Sequence, residues 1–115
     1  MKGKHLILDL YGCPKNLLND YHYLYNTLKT AIKITDTKIL NSFGHQFNPH
    51  GVTLLFLLCE SHCSIHTFPE TNYAAVDLYT CKNNDKIKEA SDFIKFQLQA
   101  SDTKESNIVR DSVYF

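Results

Sequence analysis

Val52-Thr53-Leu54-Leu55-Phe56-Leu57-Leu58 runs directly into Cys59-Glu60-Ser61-His62-Cys63-Ser64-Ile65-His66-Thr67-Phe68-Pro69-Glu70. The first seven residues are apolar except for one threonine. Pro49-His50-Gly51 bounds them upstream, which marks them as a short buried strand. The twelve that follow hold two histidines, two cysteines, two serines and two acids. Polar groups at the end of a buried strand must find hydrogen bonds or they cost stability. The cluster therefore reads as a site rather than a filler loop.

Upstream, Lys38-Ile39-Leu40-Asn41-Ser42-Phe43, extending toward Phe47, reads as the partner strand of 52–58. Asn48-Pro49-His50-Gly51 is the hairpin turn. Residues 5–11 alternate, with Leu6, Leu8 and Leu10 on one face, and predict a first strand. Between them, Leu17, Tyr21, Leu24, Leu28 and Ile32 are spaced four, three, four and four apart, the stripe of a helix over about 16–34. Pro14 suits its start, and Asn16 is a candidate cap. The tyrosines at 21, 23 and 25 are too many for one buried stripe, so some are expected to face solvent or a partner. Downstream, Tyr73–Cys81 reads as a strand. A second helix follows, capped by Asn84 or Asp85, with the stripe Ile87, Ala90, Ile94 and Leu98. Residues 101–106 read as a loop and 107–115 as a last strand.

The predicted order is strand, helix, three strands, helix, strand. Strands this close in sequence pair mainly antiparallel. Two helices on one face then give a two-layer α+β sandwich. The other face needs a cover if it is apolar, and a second copy of the chain is the simplest.

At 115 residues the chain is expected to form one domain. Twelve basic and twelve acidic residues give a formal net charge of zero. With no basic run, this argues against a nucleic-acid or membrane-surface partner. Met1-Lys2-Gly3-Lys4-His5 does not open a signal peptide, because Asp9 breaks the apolar residues that follow. No run approaches the ~20 apolar residues of a membrane span. The expected location is cytoplasmic, with Cys13, Cys59, Cys63 and Cys81 reduced.

Three chemistries suit the cluster. His62, Cys63 and His66, with Cys59 or Cys81, are residue types that bind zinc, but the spacing matches no common structural-zinc pattern. Cys63 or Cys81 with a histidine base would make a thiol nucleophile. Ser61 can instead attack the carbonyl of Glu60, shifting the acyl group from nitrogen to oxygen. Elimination then breaks the chain between 60 and 61 and leaves a ketone at the new N-terminus. That route needs a strained turn, a stabilised oxyanion and a base, and His66 and Thr53 are nearby in sequence. Taken singly, each residue reads as a turn serine, a core histidine or a small buried thiol.

Taken together, Glu60-Ser61-His62-Cys63-Ser64-Ile65-His66-Thr67-Phe68-Pro69-Glu70 and Tyr73-Ala74-Ala75-Val76-Asp77-Leu78-Tyr79-Thr80-Cys81 resemble the small prokaryotic S-adenosylmethionine decarboxylase proenzymes, which depend on a pyruvoyl group. Gly3-Lys4-His5-Leu6 and Phe47-Asn48-Pro49-His50-Gly51-Val52 extend the likeness over most of residues 3–81. The resemblance implies self-cleavage into chains 1–60 and 61–115. Ser61 would become the pyruvoyl cofactor that forms a Schiff base with substrate. His66 would be the processing base, with Glu60 and Thr53 also serving processing. Cys81 would donate the proton after carbon dioxide leaves, so its replacement by alanine is expected to spare cleavage. Phe47, Phe68 and Glu70 would bind S-adenosylmethionine. The product would be the aminopropyl donor of spermidine synthesis, and the assembly a homodimer of cleaved protomers sharing their sites. No metal is implied.

Lys82 stands where relatives commonly have glycine. Thr53 and His50 stand where a serine and an aromatic are common. These departures keep two other readings open: decarboxylation of ornithine or arginine on the same scaffold, and a non-catalytic regulatory relative.

Overall fold

The computed structural model describes residues 2–81 and 86–113. One six-stranded sheet carries the chain: β1 (Lys2–Tyr11), β2 (Ile39–Gln46), β3 (Val52–Leu58), β4 (Ser61–Phe68), β5 (Tyr73–Thr80) and β6 (Asp102–Asp111). Their order across the sheet is β2-β3-β4-β5-β1-β6, and every neighbouring pair is antiparallel. Three helices accompany it: α1 (Lys15–Leu18), α2 (Tyr21–Ile34) and α3 (Lys86–Gln97). The expected two-layer α+β architecture stands.

Strand alternation makes the core. Leu6, Leu8 and Leu10 of β1, Leu54, Phe56 and Leu58 of β3, and Val76 and Leu78 of β5 are all inaccessible to solvent. Against them lie Leu24, Leu28 and Ile32 of α2 and Ile87, Ala90 and Ile94 of α3, also buried. Each such aliphatic side chain contributes about 1.5–3 kcal/mol by leaving water. The alternate side chains of the same strands form the second face, and there Leu55 and Leu57 are 49% and 54% exposed.

Four sequence expectations change. Residues 61–68, to which the sequence assigns no element, are a full strand, so four strands, not three, stand between the two long helices. The polar residues disguised it: Cys63, Ile65 and Thr67 face the core, while His62, Ser64 and His66 alternate onto the second face. Strand β6 begins at Asp102, so most of the expected 101–106 loop is paired with β1. Tyr114 and Phe115, and the proposed caps Asn84 and Asp85, lie outside the described residues. The first long helix is broken in two, because the Asp20 carboxylate accepts from the Tyr23 amide at 3.0 Å and starts α2 afresh. The three tyrosines of α2 are all half-buried. Tyr23 donates to the Gln97 carbonyl of α3 at 2.7 Å. Tyr25 shares a hydrogen bond with Ser42 of β2. Tyr21 lies over Gly44, where a Cβ would stand 2.1 Å from its hydroxyl. Among the described residues, no helix is long and apolar enough to cross a membrane.

Candidate active site

The β3–β4 connection is two residues long, and it is tight. Glu60 takes φ 64°, the left-handed region that a residue with a side chain occupies at a cost of about 1–2 kcal/mol. The strain therefore falls on the residue whose carbonyl joins Ser61. Ser61 opens β4 opposite Leu58. Its side chain turns to the core side, is 8% exposed, and its hydroxyl lies 3.4 Å from the Cys59 carbonyl.

The β4–β5 register pairs His62 with Tyr79, and continuing it two residues sets Glu60 opposite Cys81. There the Cys81 thiol donates to the Glu60 carbonyl oxygen at 2.7 Å. Glu60, Thr80, Cys81 and Lys38 line a cavity of about 290 Å³. Cys81 is half-buried, unlike Cys13 and Cys63. Burial pushes the Cys13 thiol up to about 11. Burial, and then the charge of Asp77, push Cys63 up to about 12. Those two thiols are unsuited to act as nucleophiles or acids near neutrality.

His66 and Thr53 are directly paired across β3 and β4, with Thr53 Oγ1 2.9 Å from His66 Nδ1. They are not beside Ser61. Five residues of continuous strand separate His66 from Ser61, about 16 Å at the rise of a β-strand. The odd spacing also turns the two side chains to opposite faces. The same alternation sends Cys63 away from His62 and His66, which dismantles the zinc reading. Among the described residues, no three histidine, cysteine or acidic side chains gather closely enough to hold a metal.

Phe47, Phe68 and Glu70 lie at the other end of the strands, together with the β2–β3 hairpin. Phe68 stacks on Tyr73, their centroids 5.6 Å apart at 26°. Phe47 meets His45 edge-on at 4.6 Å. Glu70 pairs with His50, Oε2 to Nε2 2.8 Å. The Asn19 side-chain oxygen secures the hairpin by accepting from the Gly51 amide at 2.9 Å and from Gln46 Nε2 at 2.8 Å. Lys82 lies outside the described residues.

Sequence reasoning missed a second cluster on the open face. His5 Nε2 lies 3.1 Å from Asp77 Oδ1, and Ser64 donates to the other carboxylate oxygen at 3.4 Å. Tyr79 stands among His5, His62 and Arg110. Strand period alone puts Asp77 and Tyr79 on the face of Cys81, and that signal was available. The contributions of β1 and β6 were not, because long-range pairing creates them.

The S-adenosylmethionine decarboxylase family matches residues 4–111 of this chain. The S-adenosylmethionine decarboxylase proenzyme of Synechococcus sp. (strain WH7803) is 44% identical over 112 residues, 97% of this chain and 88% of that protein. The proenzyme of Prochlorococcus marinus (strain MIT 9313) is 47% identical, over 87% of this chain and 80% of its own. The crystal structure of the adenosylmethionine decarboxylase from Aquifex aeolicus VF5 superposes with a TM-score of 0.89 at 35% identity, covering 97% of this chain and 92% of that one.

Proposed function

The chain belongs to the S-adenosylmethionine decarboxylase family, and on that premise we propose that it cleaves itself at Glu60–Ser61 and decarboxylates S-adenosylmethionine with a pyruvoyl group made from Ser61. The observation that carries this reading is the Glu60 carbonyl, strained in its backbone and hydrogen-bonded by the Cys81 thiol. The residues present fit such a group. A near-buried serine hydroxyl follows a carbonyl that already has a donor on its oxygen.

Processing follows from that geometry. The Ser61 oxygen bonds to the Glu60 carbonyl carbon, the carbon–nitrogen bond breaks, and the hydroxyl proton passes to the freed nitrogen. The Cys81 thiol stabilises the oxyanion formed on the way. A base then removes the Ser61 α-proton, the Cβ–Oγ bond breaks, and Glu60 departs as a carboxylate. Water enters and ammonia leaves to give the ketone. Relief of the left-handed backbone at Glu60 assists the first step.

His66 is the base of choice by type, with Thr53 holding its Nδ1 and leaving Nε2 free. At about 16 Å from its own Ser61 it cannot reach. A second copy, open face to open face, would bring it to the backbone α-hydrogen of the partner's Ser61, the atom a base must reach, while the hydroxyl stays on the core side. The exposed Leu55, Leu57, Phe43 and Phe68 support that contact, since an apolar sheet face is a surface to be covered. The same facing would carry Phe47, Phe68 and Glu70 of one copy to the reacting end of the other. The functional assembly is thus a homodimer with shared sites.

A ketone at position 61 supplies the electron sink for loss of carbon dioxide from an amino acid. Cys81 gives a proton to the carbon that the carboxylate leaves. Phe47 and Phe68 offer flat faces to an adenine ring, and the Glu70 carboxylate accepts from ribose hydroxyls. The product would serve as an aminopropyl donor in polyamine synthesis. Carbon dioxide release from S-adenosylmethionine, ornithine and arginine, assayed side by side, tests the reading. Release from S-adenosylmethionine alone is expected; release from either basic amino acid, or from none, overturns it.

A further inference from the structure

Continued past Tyr79, the strand registers set Glu60, Cys81, Gly3 and Arg110 in one row across β4, β5, β1 and β6. Tyr79 precedes Cys81 by two residues and shares its face. Its ring fills the space that Gly3 leaves. A Cβ at Gly3 would stand 2.7 Å from Tyr79 Cε1 and 2.9 Å from its hydroxyl oxygen. From β6, the Arg110 guanidinium lies 5.0 Å from the ring centre. The rings of His5 and His62 flank it at 5.8 and 5.6 Å. Held over Gly3, which the β1–β5 register sets opposite Cys81, the Tyr79 hydroxyl is brought beside the thiol. The thiol spends its only hydrogen on the Glu60 carbonyl. Toward the tyrosine the sulfur is therefore left only as an acceptor.

We propose that Tyr79 is a positioning residue for Cys81: its hydroxyl donates to the sulfur, aims the thiol along the sheet end and stabilises the thiolate left when the proton is given away. This inference rests on the decarboxylase reading. The proton balance is simple. The thiol proton goes to the carbon that has lost its carboxylate, the sulfur keeps the bonding pair, and solvent returns a proton after product leaves. Tyr79 itself loses none. Burial, then the hydrogen bond and charge of Cys81, hold the tyrosine hydroxyl protonated above its usual range, and Arg110 acts in the opposite sense. Gly3 belongs to the same device, since any side chain there would displace the ring.

The test begins with the uncleaved full-length chain carrying Ser61→Ala, in which Cys81 is in one state throughout. Iodoacetamide alkylation at pH 7 is followed by mass spectrometry of the Cys81 and Cys59 peptides. Adding Tyr79→Phe is expected to slow Cys81 about three-fold, because the reacting sulfur loses a hydrogen-bond donor. Cys59, exposed on the β3–β4 turn, should not change. Gly3→Ala should reproduce the effect, and combining the two should add nothing. In the cleaved enzyme, Tyr79→Phe should raise the fraction of turnovers that misplace the proton, read as progressive loss of the ketone mass from the 61–115 chain. Equal alkylation of Cys81 with and without the hydroxyl, or unchanged ketone loss, overturns the proposal. If the unsubstituted protein releases no carbon dioxide, the decarboxylase reading falls, while the alkylation arm still decides whether Tyr79 acts on Cys81.

Discussion

The Cys81 thiol donates to the carbonyl oxygen of Glu60 across the end of β4 and β5, at 2.7 Å, although they lie twenty-one positions apart in sequence. The motif alone suggests that Cys81 acts only after the chain is cut. The contact puts its thiol on the carbonyl where the proposed cleavage would begin. Cys81→Ala is therefore expected to slow self-cleavage, by about ten-fold, because a neutral thiol is a weaker oxyanion donor than those whose removal costs 10²–10³. A time course on a denaturing gel measures it. Cleavage at the unsubstituted rate would confine Cys81 to the later step.

His66 and Ser61 stand too far apart on one strand to meet within a chain. Ser61→Ala and His66→Ala variants should each remain full length when expressed alone. Expressed together, the His66→Ala chain should cleave, because its partner supplies the imidazole. Absence of cleavage in the mixed sample would refute sharing across the interface.

Glu70 is held by His50 at the hairpin. His50→Ala releases the carboxylate and should raise KM several-fold with little change in kcat, the pattern of lost ground-state and transition-state binding alike. His50→Gln, which keeps a donor, should recover much of it. Steady-state kinetics with S-adenosylmethionine decides, and a fall in kcat at constant KM would place His50 elsewhere in the reaction.

Glu105 joins β6 to α3. It accepts from Ser91 at 2.6 Å and pairs with Lys95 at 2.9 Å. Burial raises its pKa, but hydrogen bonds from Ser91, Lys95 and Asn107 and the Lys95 charge outweigh it, so the net effect holds the carboxyl below its ordinary value. A depressed carboxylate adds stability above its unfolded pKa and loses it as pH falls through the folded value. Glu105→Gln should therefore cost about 1 kcal/mol at pH 7. The difference should shrink as pH falls through the lowered carboxylate range, as urea unfolding at several pH values would register. A pH-independent difference would assign the loss to packing instead.

Much of the fold was legible because apolar spacing reports which face of a strand or helix is buried. Leu6, Leu8 and Leu10 alternate, and Leu24, Leu28 and Ile32 recur at helical spacing. Strand β4 was hidden because it carries polar side chains on both faces, so no alternation marked it. The break before α2 was hidden because Asp20 acts through one side-chain hydrogen bond, which outweighs an unbroken stripe of leucines. His50 and Glu70 were visible as residue types, but their pairing depends on a hairpin that Asn19 pins from another element.

The order of residues by itself nominated the reactive set that we propose. Ser61, His66 and Cys81 are chosen by what their side chains can do and by a motif too long to arise from unrelated needs. It also determined which strand residues share a face, because that parity is a local property of extended backbone. Only the tertiary structure decided which of these groups meet. A strand climbs about 3.3 Å per residue, so five positions that adjoin in the motif become a gap wider than a side chain can bridge. Antiparallel pairing does the reverse, folding Cys81 back beside Glu60 and setting Arg110 and Gly3 around Tyr79.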